Sequence, residues 1–220
     1  MIRLPYKLLL IGLISIFLFG CQDSKIQGDL PILGSDNSST DEFSYRSDLI
    51  IPTGSPFSLA PTSTASNDFL VIISPSLPAG LSLDHFTGII SGTPTTASPQ
   101  TTYTLTIQRG ALRLQRSINL LVDATPPTSM VITDGTNQTD TTSLSFSWTP
   151  SSDPESSISY YEYALGTSYG GTQVINWTRS EGTSVSLGDL SLSNGTTYYL
   201  SVRATNSAGL KTISRPMAFI

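Results

Sequence analysis

Residues 46–220 consist of short segments in which apolar and polar side chains alternate, with Gly, Pro, Asn and Asp between the segments. A period of two places every second side chain on one face, which is typical of a half-buried β-strand. The clearest examples are Tyr103–Ile107, Leu144–Trp148 and Thr196–Ala204. The chain has 35 serines and 28 threonines, and only 12% of its residues are charged. Since threonine favours strands, the sequence predicts an all-β protein with many turns.

One segment departs from this alternation. Residues Phe69–Ile73 (FLVII) are continuously apolar. Such a run predicts a strand that is buried on both faces.

Charge and residue counts exclude several classes of function. A net charge of −5 argues against nucleic acid as a partner, because neutralising phosphates needs a basic surface. The single cysteine excludes an internal disulfide or a cysteine-based zinc site, and the single histidine excludes a cluster of histidine ligands. That histidine, His85, follows Leu83 in a predicted turn, where we expect it to be solvated rather than catalytic.

The first 20 residues have the layout of a secretory signal. Arg3 and Lys7 precede an apolar run, Leu8–Phe19, which would span about 18 Å as a helix and is too short for a bilayer core of about 30 Å. The run ends in Leu-Phe-Gly-Cys21, which resembles the lipobox of bacterial lipoproteins. The resemblance implies cleavage before Cys21, lipid attachment to its sulfur and, with Gln22 next, a place in the outer membrane. A free cysteine after an ordinary signal is the alternative.

Residues 21–45 are rich in Asp, Ser, Asn and Gly and carry no sustained hydrophobic period. This composition predicts a flexible tether between the lipidated cysteine and the folded part.

Residues 46–124 carry a long motif. Leu77-Pro-Ala-Gly80-Leu-Ser-Leu-Asp84 is followed by Thr87-Gly88-Ile-Ile-Ser-Gly92-Thr-Pro94. The glycines are predicted to adopt positive φ at tight turns. The motif resembles that of the putative-Ig, cadherin-like domains of bacterial surface proteins, which implies an Ig-like β-sandwich.

Residues 125–220, which begin within the junction Asp123-Ala-Thr-Pro-Pro127, form a second predicted domain. The segment Leu192-x3-Thr196-x-Tyr198-x-Leu-x-Val-x-Ala-x-Asn206 resembles the F-strand signature of fibronectin type III domains. The resemblance implies a second Ig-like sandwich, in which Tyr198 is buried with its hydroxyl bonded to the backbone. Trp148 would be the core tryptophan of strand B. The predicted fold is thus two tandem sandwiches after a signal peptide and tether.

Catalytic and metal sites are weak hypotheses. Asp153 and Glu155 are close in sequence but lie in a proline-containing loop without a groove of aromatic residues, so we predict that the protein is not an enzyme. We predict no metal or other cofactor. Calcium is an alternative, since cadherin-like domains often bind it at domain junctions. The carboxylates near this junction are Asp123, Asp134 and Asp140. The favoured interpretation is that they lie in solvated loops and bind no ion.

The predicted function is a non-enzymatic envelope lipoprotein that presents two Ig-like domains for adhesion or protein recognition. Its expected partners are the membrane, through the lipid, and an envelope or surface protein. A carbohydrate-binding module and a structural spacer are the alternatives. A glycan platform needs exposed aromatic rings, for which Tyr160, Tyr169 and Trp177 are the candidates. Packing of Trp177 on the sandwich flank is the favoured alternative to a binding role.

Overall fold

The structure is a computed structural model, which describes residues 43–62, 69–134 and 141–219. These ranges contain β-strands and no helix, which confirms the predicted all-β class. No membrane-crossing helix therefore lies within them. Cys21, the predicted leader and most of the predicted tether lie outside the described residues, as does Asp140.

The first sandwich is formed by two sheets, whose strand orders are β1-β7-β6-β3 and β2-β5-β4. β1 runs parallel to β7, whereas the other neighbours in these sheets are antiparallel. The strands are β1 (Asp48–Pro52), β2 (Phe57–Leu59), β3 (Leu70–Ser74), β4 (Leu81–Leu83), β5 (Ile90–Gly92), β6 (Ser98–Arg109) and β7 (Leu112–Asp123).

Alternate residues of the long β6–β7 hairpin fill the first core. Leu105 in β6 and Leu120 in β7 are fully buried, while Ile90 in β5 closes the core from the second sheet. Threonines 102, 104 and 106 lie between the buried positions of β6 on the opposite face. The predicted period of two is therefore confirmed in this hairpin, because one face of the sheet packs and the other is solvated.

The prediction that Phe69–Ile73 is buried on both faces is wrong. β3 is an edge strand in which Val71 is fully buried, whereas Leu70 is 40% and Ile72 is 42% exposed. The described sheets cover only one face of this strand, so every second apolar side chain meets solvent. His85 lies exposed in its turn, as expected, and also binds the strand edge: its backbone oxygen accepts from Val71 N at 2.8 Å, and its Nδ1 is 2.7 Å from Val71 O.

The second sandwich has one sheet of order β12-β9-β8 and one of order β11-β10-β13-β14, with β15 also paired to β13. The strands are β8 (Ile132–Asp134), β9 (Leu144–Trp148), β10 (Ile158–Gly166), β11 (Ile175–Ser180), β12 (Ser184–Leu187), β13 (Tyr198–Asn206), β14 (Lys211–Ile213) and β15 (Met217–Phe219).

The core of the second sandwich is built around Trp148 at the end of β9. Its side chain is 4% exposed, which confirms the prediction of a core tryptophan. The inward residues of β10 and β13, such as Leu165, Leu200 and Val202, pack in the same cluster. The intervening residues of these strands therefore point out of the sandwich, and they form the surface described below.

Tyr198 at the start of β13 is 7% exposed, and its hydroxyl accepts a hydrogen bond from Ser193 N at 3.0 Å. The predicted buried corner tyrosine is thus confirmed. We expect Tyr198→Phe to lower the free energy of unfolding by about 1 kcal/mol, because the Ser193 amide loses this partner. Urea denaturation measures the change. Tyr199→Phe is the control, since that hydroxyl makes no hydrogen bond within the described residues; equal losses in both variants would contradict the expectation.

Candidate recognition face and acidic cluster

The outer surface of the β11-β10-β13-β14 sheet carries six side chains that we call the arginine–aromatic face. Strand register places Glu162 of β10 directly opposite Arg179 of β11 on one side and Arg203 of β13 on the other. Glu162 and Arg203 point outward because their neighbours along the strands pack inward. The members of the face are Tyr160, Glu162, Trp177, Arg179, Arg203 and Lys211.

Glu162 links the cations of this face. Arg203 Nε donates to Glu162 Oε2 at 2.6 Å, and Lys211 Nζ lies 4.0 Å from the same oxygen. The hydrogen bond from Arg203, with the nearby positive charges, holds the pKa of Glu162 below its ordinary value. Three cations around one carboxylate give the face a local positive charge, although the whole chain carries −5.

The lowered pKa of Glu162 predicts a pH-dependent contribution to stability. Such a group stabilises the fold above its unfolded-state pKa near 4.5, and this stability is lost as the pH falls through the folded-state value. We expect Glu162→Gln to cost about 1 kcal/mol at pH 7 and progressively less below pH 4.5. Denaturant unfolding at pH 7 and pH 3 measures this. Glu181→Gln, in an exposed turn, is the control; a cost for Glu162→Gln that does not change with pH would contradict the assignment.

Guanidinium groups cover the two aromatic rings of this face. The Cζ of Arg179 is 3.9 Å from the ring centroid of Tyr160, and the Cζ of Arg203 is 4.2 Å from that of Trp177. Both rings are half-buried. These are cation–π distances, so each ring has one side occupied by a charged group.

The third aromatic candidate, Tyr169, lies in the loop after β10. It is 55% exposed, and its hydroxyl donates to Ser214 O at 3.1 Å. The structure therefore places Tyr160 and Trp177 on the outer surface of the sheet and Tyr169 beyond the end of β10. A cavity of about 350 Å³ is lined by Tyr160 and Arg179, together with Tyr161 and Ser180.

A second group of polar side chains, the acidic cluster, consists of Asp123, Asp153 and Glu155. Asp123 ends β7 and is completely buried, whereas the other two lie partly buried in the loop between β9 and β10. One carboxylate oxygen from each lies within 4.8 Å of the other two. Asp153 and Glu155 thus join Asp123 in space, which proximity along the sequence did not indicate.

Hydrogen bonds from neutral groups hold the acidic cluster together. Asn206 Nδ2 lies 3.0 Å from both Asp123 Oδ2 and Asp153 Oδ2. Ser156 Oγ donates to Asp123 Oδ2 at 2.6 Å, and Thr125 Oγ1 donates to Glu155 Oε1 at 2.7 Å. Burial raises the pKa of Asp123, and the neighbouring carboxylates raise it further.

Comparison with protein families decides what the two sandwiches are. Residues 35–123 match the model of the family described as "Putative Ig domain", and residues 125–220 match that of "Fibronectin type III domain". The chain carries a putative Ig domain followed by a fibronectin type III domain. The arginine–aromatic face lies on the fibronectin type III domain, while Asp123 belongs to the Ig domain. Both families are in general non-catalytic binding or structural modules.

Several solved structures match this chain at low sequence identity. Titin domains A168–A170 match with a TM-score of 0.51 and 18% identity over 79% of this chain and 61% of theirs. The FN1–FN3 domains of chicken CNTN1 have a TM-score of 0.48 at 17% identity, over 81% and 66% of the two chains. The fibronectin(III)-like modules of Clostridium thermocellum CbhA have 0.45 at 14%, over 80% and 93%.

The chain spans less than two thirds of the titin and CNTN1 structures. No match to a curated protein was found. At 18% identity, the titin match shows the fold and not a function.

Proposed function

We propose that this protein is a non-enzymatic, lipid-anchored protein of the bacterial envelope that uses its Ig and fibronectin type III domains to recognise another protein. The arginine–aromatic face is the observation that carries the recognition role. Arginine, tryptophan and tyrosine are the residues most enriched where binding energy concentrates in protein interfaces.

Occupied ring faces favour a protein partner over a sugar. A sugar would stack on the flat side of an aromatic ring, but guanidinium groups lie over one side of both Tyr160 and Trp177. Arg179 is exposed, so its guanidinium can also donate to acidic or carbonyl groups of a partner. A carbohydrate-binding module remains the second candidate because Tyr169 is 55% exposed.

Photocrosslinking tests the recognition face directly. A photoreactive amino acid at position 179 should yield a discrete protein adduct on intact cells, and Trp177→Ala introduced in the same chain should weaken it. Position 113, an exposed arginine of β7 on the other domain, is the matched control. No adduct at 179, or the same adduct at 113, would contradict the proposal. Binding to a glycan array that Tyr169→Ala abolishes would instead support the carbohydrate-binding function.

The lipid anchor is proposed from the resemblance of Leu-Phe-Gly-Cys21 to a lipobox. Two or three acyl chains make attachment effectively permanent, whereas an acidic protein gains little from anionic lipid. We expect labelled palmitate to enter the wild-type chain and not Cys21→Ala. Ser24→Ala is the matched control and should be labelled as the wild type is. Protease treatment of intact cells then tells whether the outer-membrane protein faces the medium or the periplasm.

A further inference from the structure

One end of the Ig domain is formed by the turn between β6 and β7. Arg109 pairs with Leu112 across this turn, and β7 then runs for 12 residues to Asp123, at the junction with the fibronectin type III domain. At about 3.3 Å per residue, the two ends of β7 lie about 35 Å apart. The β6–β7 turn and the domain junction are therefore at opposite ends of the Ig domain.

The turn between β4 and β5 lies at the same end as the β6–β7 turn. The backbone oxygen of His85 in this turn accepts from Val71 N, and Val71 pairs with Ile107 near the end of β6. Asp84 Oδ1 accepts from the amide of Phe86 at 2.9 Å, which fixes the shape of the turn. We give the name basal tip to four exposed side chains at this end: Phe86, Arg109, Leu112 and Arg113.

The chain enters the Ig domain beside the basal tip. Phe43 is the first described residue, and its backbone oxygen accepts from Arg116 Nε at 2.7 Å. Tyr45 Oη donates at 2.8 Å to Gly88 O, in the same turn as Phe86. The segment that precedes Phe43 is therefore joined to the domain at the end that carries the basal tip, and not at the junction end.

The basal tip combines apolar and cationic side chains. Phe86 is 65% and Leu112 is 59% exposed, and the two arginines of the tip are exposed as well. The Cζ of Arg109 lies 5.2 Å from the ring centroid of Phe69, which keeps this guanidinium at the end of the domain. Asp84 is the carboxylate that the structure describes in the turn. Phenylalanine and leucine beside arginine are typical of surfaces that lie in the interface of a bilayer.

A lipid anchor makes weak contacts sufficient. If Cys21 carries lipid, the predicted tether of residues 21–42 would span about 25 Å r.m.s. as a flexible chain and would keep the domain at about millimolar effective concentration near the bilayer. Two apolar side chains and two arginines are too few to bind a membrane alone, which agrees with the small gain of an acidic protein from anionic lipid. They can determine which end of an anchored domain faces the lipid.

We propose that the basal tip docks on the anionic phospholipid surface of the membrane that holds the lipid anchor, an inference that rests on the proposed anchor at Cys21. Phe86 and Leu112 enter the boundary between headgroups and acyl chains, while Arg113 donates to lipid phosphates. Docking by the tip leaves the junction end of the Ig domain away from the lipid.

Fluorescence quenching of the lipidated full-length chain in vesicles tests the proposal. Cys21 is the single native cysteine and its sulfur would carry lipid, so Ala111→Cys, in the β6–β7 turn, can be labelled selectively with a fluorophore. In vesicles of phosphatidylethanolamine and phosphatidylglycerol, a nitroxide on the lipid headgroups should quench this probe at least about twofold. Ala218→Cys, at an exposed alanine of β15, is the matched control and should be quenched little. No quenching at position 111, or equal quenching at both positions, would overturn the proposal.

Variants of the tip identify the contacts. Phe86→Ser combined with Leu112→Ser should reduce the quenching at position 111 to that at position 218. Val131→Ser, at a 64% exposed residue of the fibronectin type III domain, should leave it unchanged. Circular dichroism checks that the variants are folded, and Arg113→Gln replaces the double variant if that chain is not. Wild-type quenching in a folded tip variant would overturn the assignment of the tip.

Flotation of the vesicles separates this proposal from the proposed anchor. A chain that does not float with the vesicles overturns both the anchor and the docking. A chain that floats while the probe at position 111 stays unquenched overturns the docking alone. If the probe is shielded from aqueous iodide but not quenched by the lipid nitroxide, a second copy of the chain covers the tip, and membrane docking is again overturned.

Discussion

Replacing Trp148 by alanine should lower the free energy of unfolding of the fibronectin type III domain by about 3–5 kcal/mol. The indole is 4% exposed at the end of β9, and its ring centroid lies 6.0 Å from that of Tyr161 in the facing sheet. Its Nε1 makes no hydrogen bond within the described residues, so the loss reflects packing alone. Urea denaturation followed by circular dichroism measures the effect.

Two further tryptophan variants sharpen this prediction. Trp148→Phe should cost less than Trp148→Ala, because it keeps an aromatic ring in the core and removes the unpaired N–H. Trp177→Ala, at a half-buried position on the outer surface, should cost about 1 kcal/mol. An unchanged unfolding curve for Trp148→Ala would contradict the assignment of β9 to the centre of the core.

Replacing Gly92 by alanine should destabilise the Ig domain by about 3 kcal/mol or more. Gly92 has a φ of +139°, and an added Cβ would lie 2.0 Å from the backbone oxygen of Gly80. A Cβ added at Gly80 would likewise lie 2.0 Å from a backbone oxygen, that of Thr93. Since Thr93 N donates to Gly80 O at 2.9 Å, the two backbones cannot separate without breaking this bond.

Gly110→Ala is the matched control for this clash. Gly110 also has a positive φ, +57°, at the β6–β7 turn, but open space surrounds its Cβ position. Gly110→Ala should lower the free energy of unfolding by only about 1 kcal/mol, because alanine is strained at this φ but meets no other atom. Differential scanning calorimetry of the full-length chain should show the Ig transition lowered more by Gly92→Ala. Equal losses in the two variants would contradict the close backbone approach.

Local patterns predicted much of the fold. The alternation in Tyr103–Ile107 and Thr196–Ala204 indicated which side chains are buried, because a strand's inward positions follow from its own sequence. The positive φ angles of Gly80, Gly88 and Gly92 are confirmed as well. These features depend on neighbouring residues in the chain, so a single sequence contains the information.

Features that depend on distant residues escaped prediction. Whether Phe69–Ile73 is covered on one face or two depends on which segments pack against its sheet, and Leu70 and Ile72 lie on a face that is exposed. The parallel pairing of Asp48 with Asn119 likewise joins segments far apart in the sequence. Strand order is a property of the whole sandwich, so hydrophobic runs alone do not determine it.

The candidate sites show the same limit. The sequence offers Tyr160 and Trp177 as candidate aromatics for a glycan platform, but their partners Arg179 and Arg203 depend on the register between strands. Sequence proximity suggested Asp134 as a junction carboxylate beside Asp123, whereas the cluster uses Asp153 and Glu155 from a loop about 30 residues on. Apolar and polar residues alternate in β10 and β13. This alternation could have indicated that Glu162 and Arg203 lie on the outer surface of the sheet.

Mass spectrometry of the mature protein from the bacterium that produces it tests the proposed envelope role most directly. We expect the mature chain to begin at Cys21, with a diacylglyceryl thioether on its sulfur and a third acyl chain on its amino group. An unmodified Cys21 thiol, or a leader still attached to the chain, would contradict it.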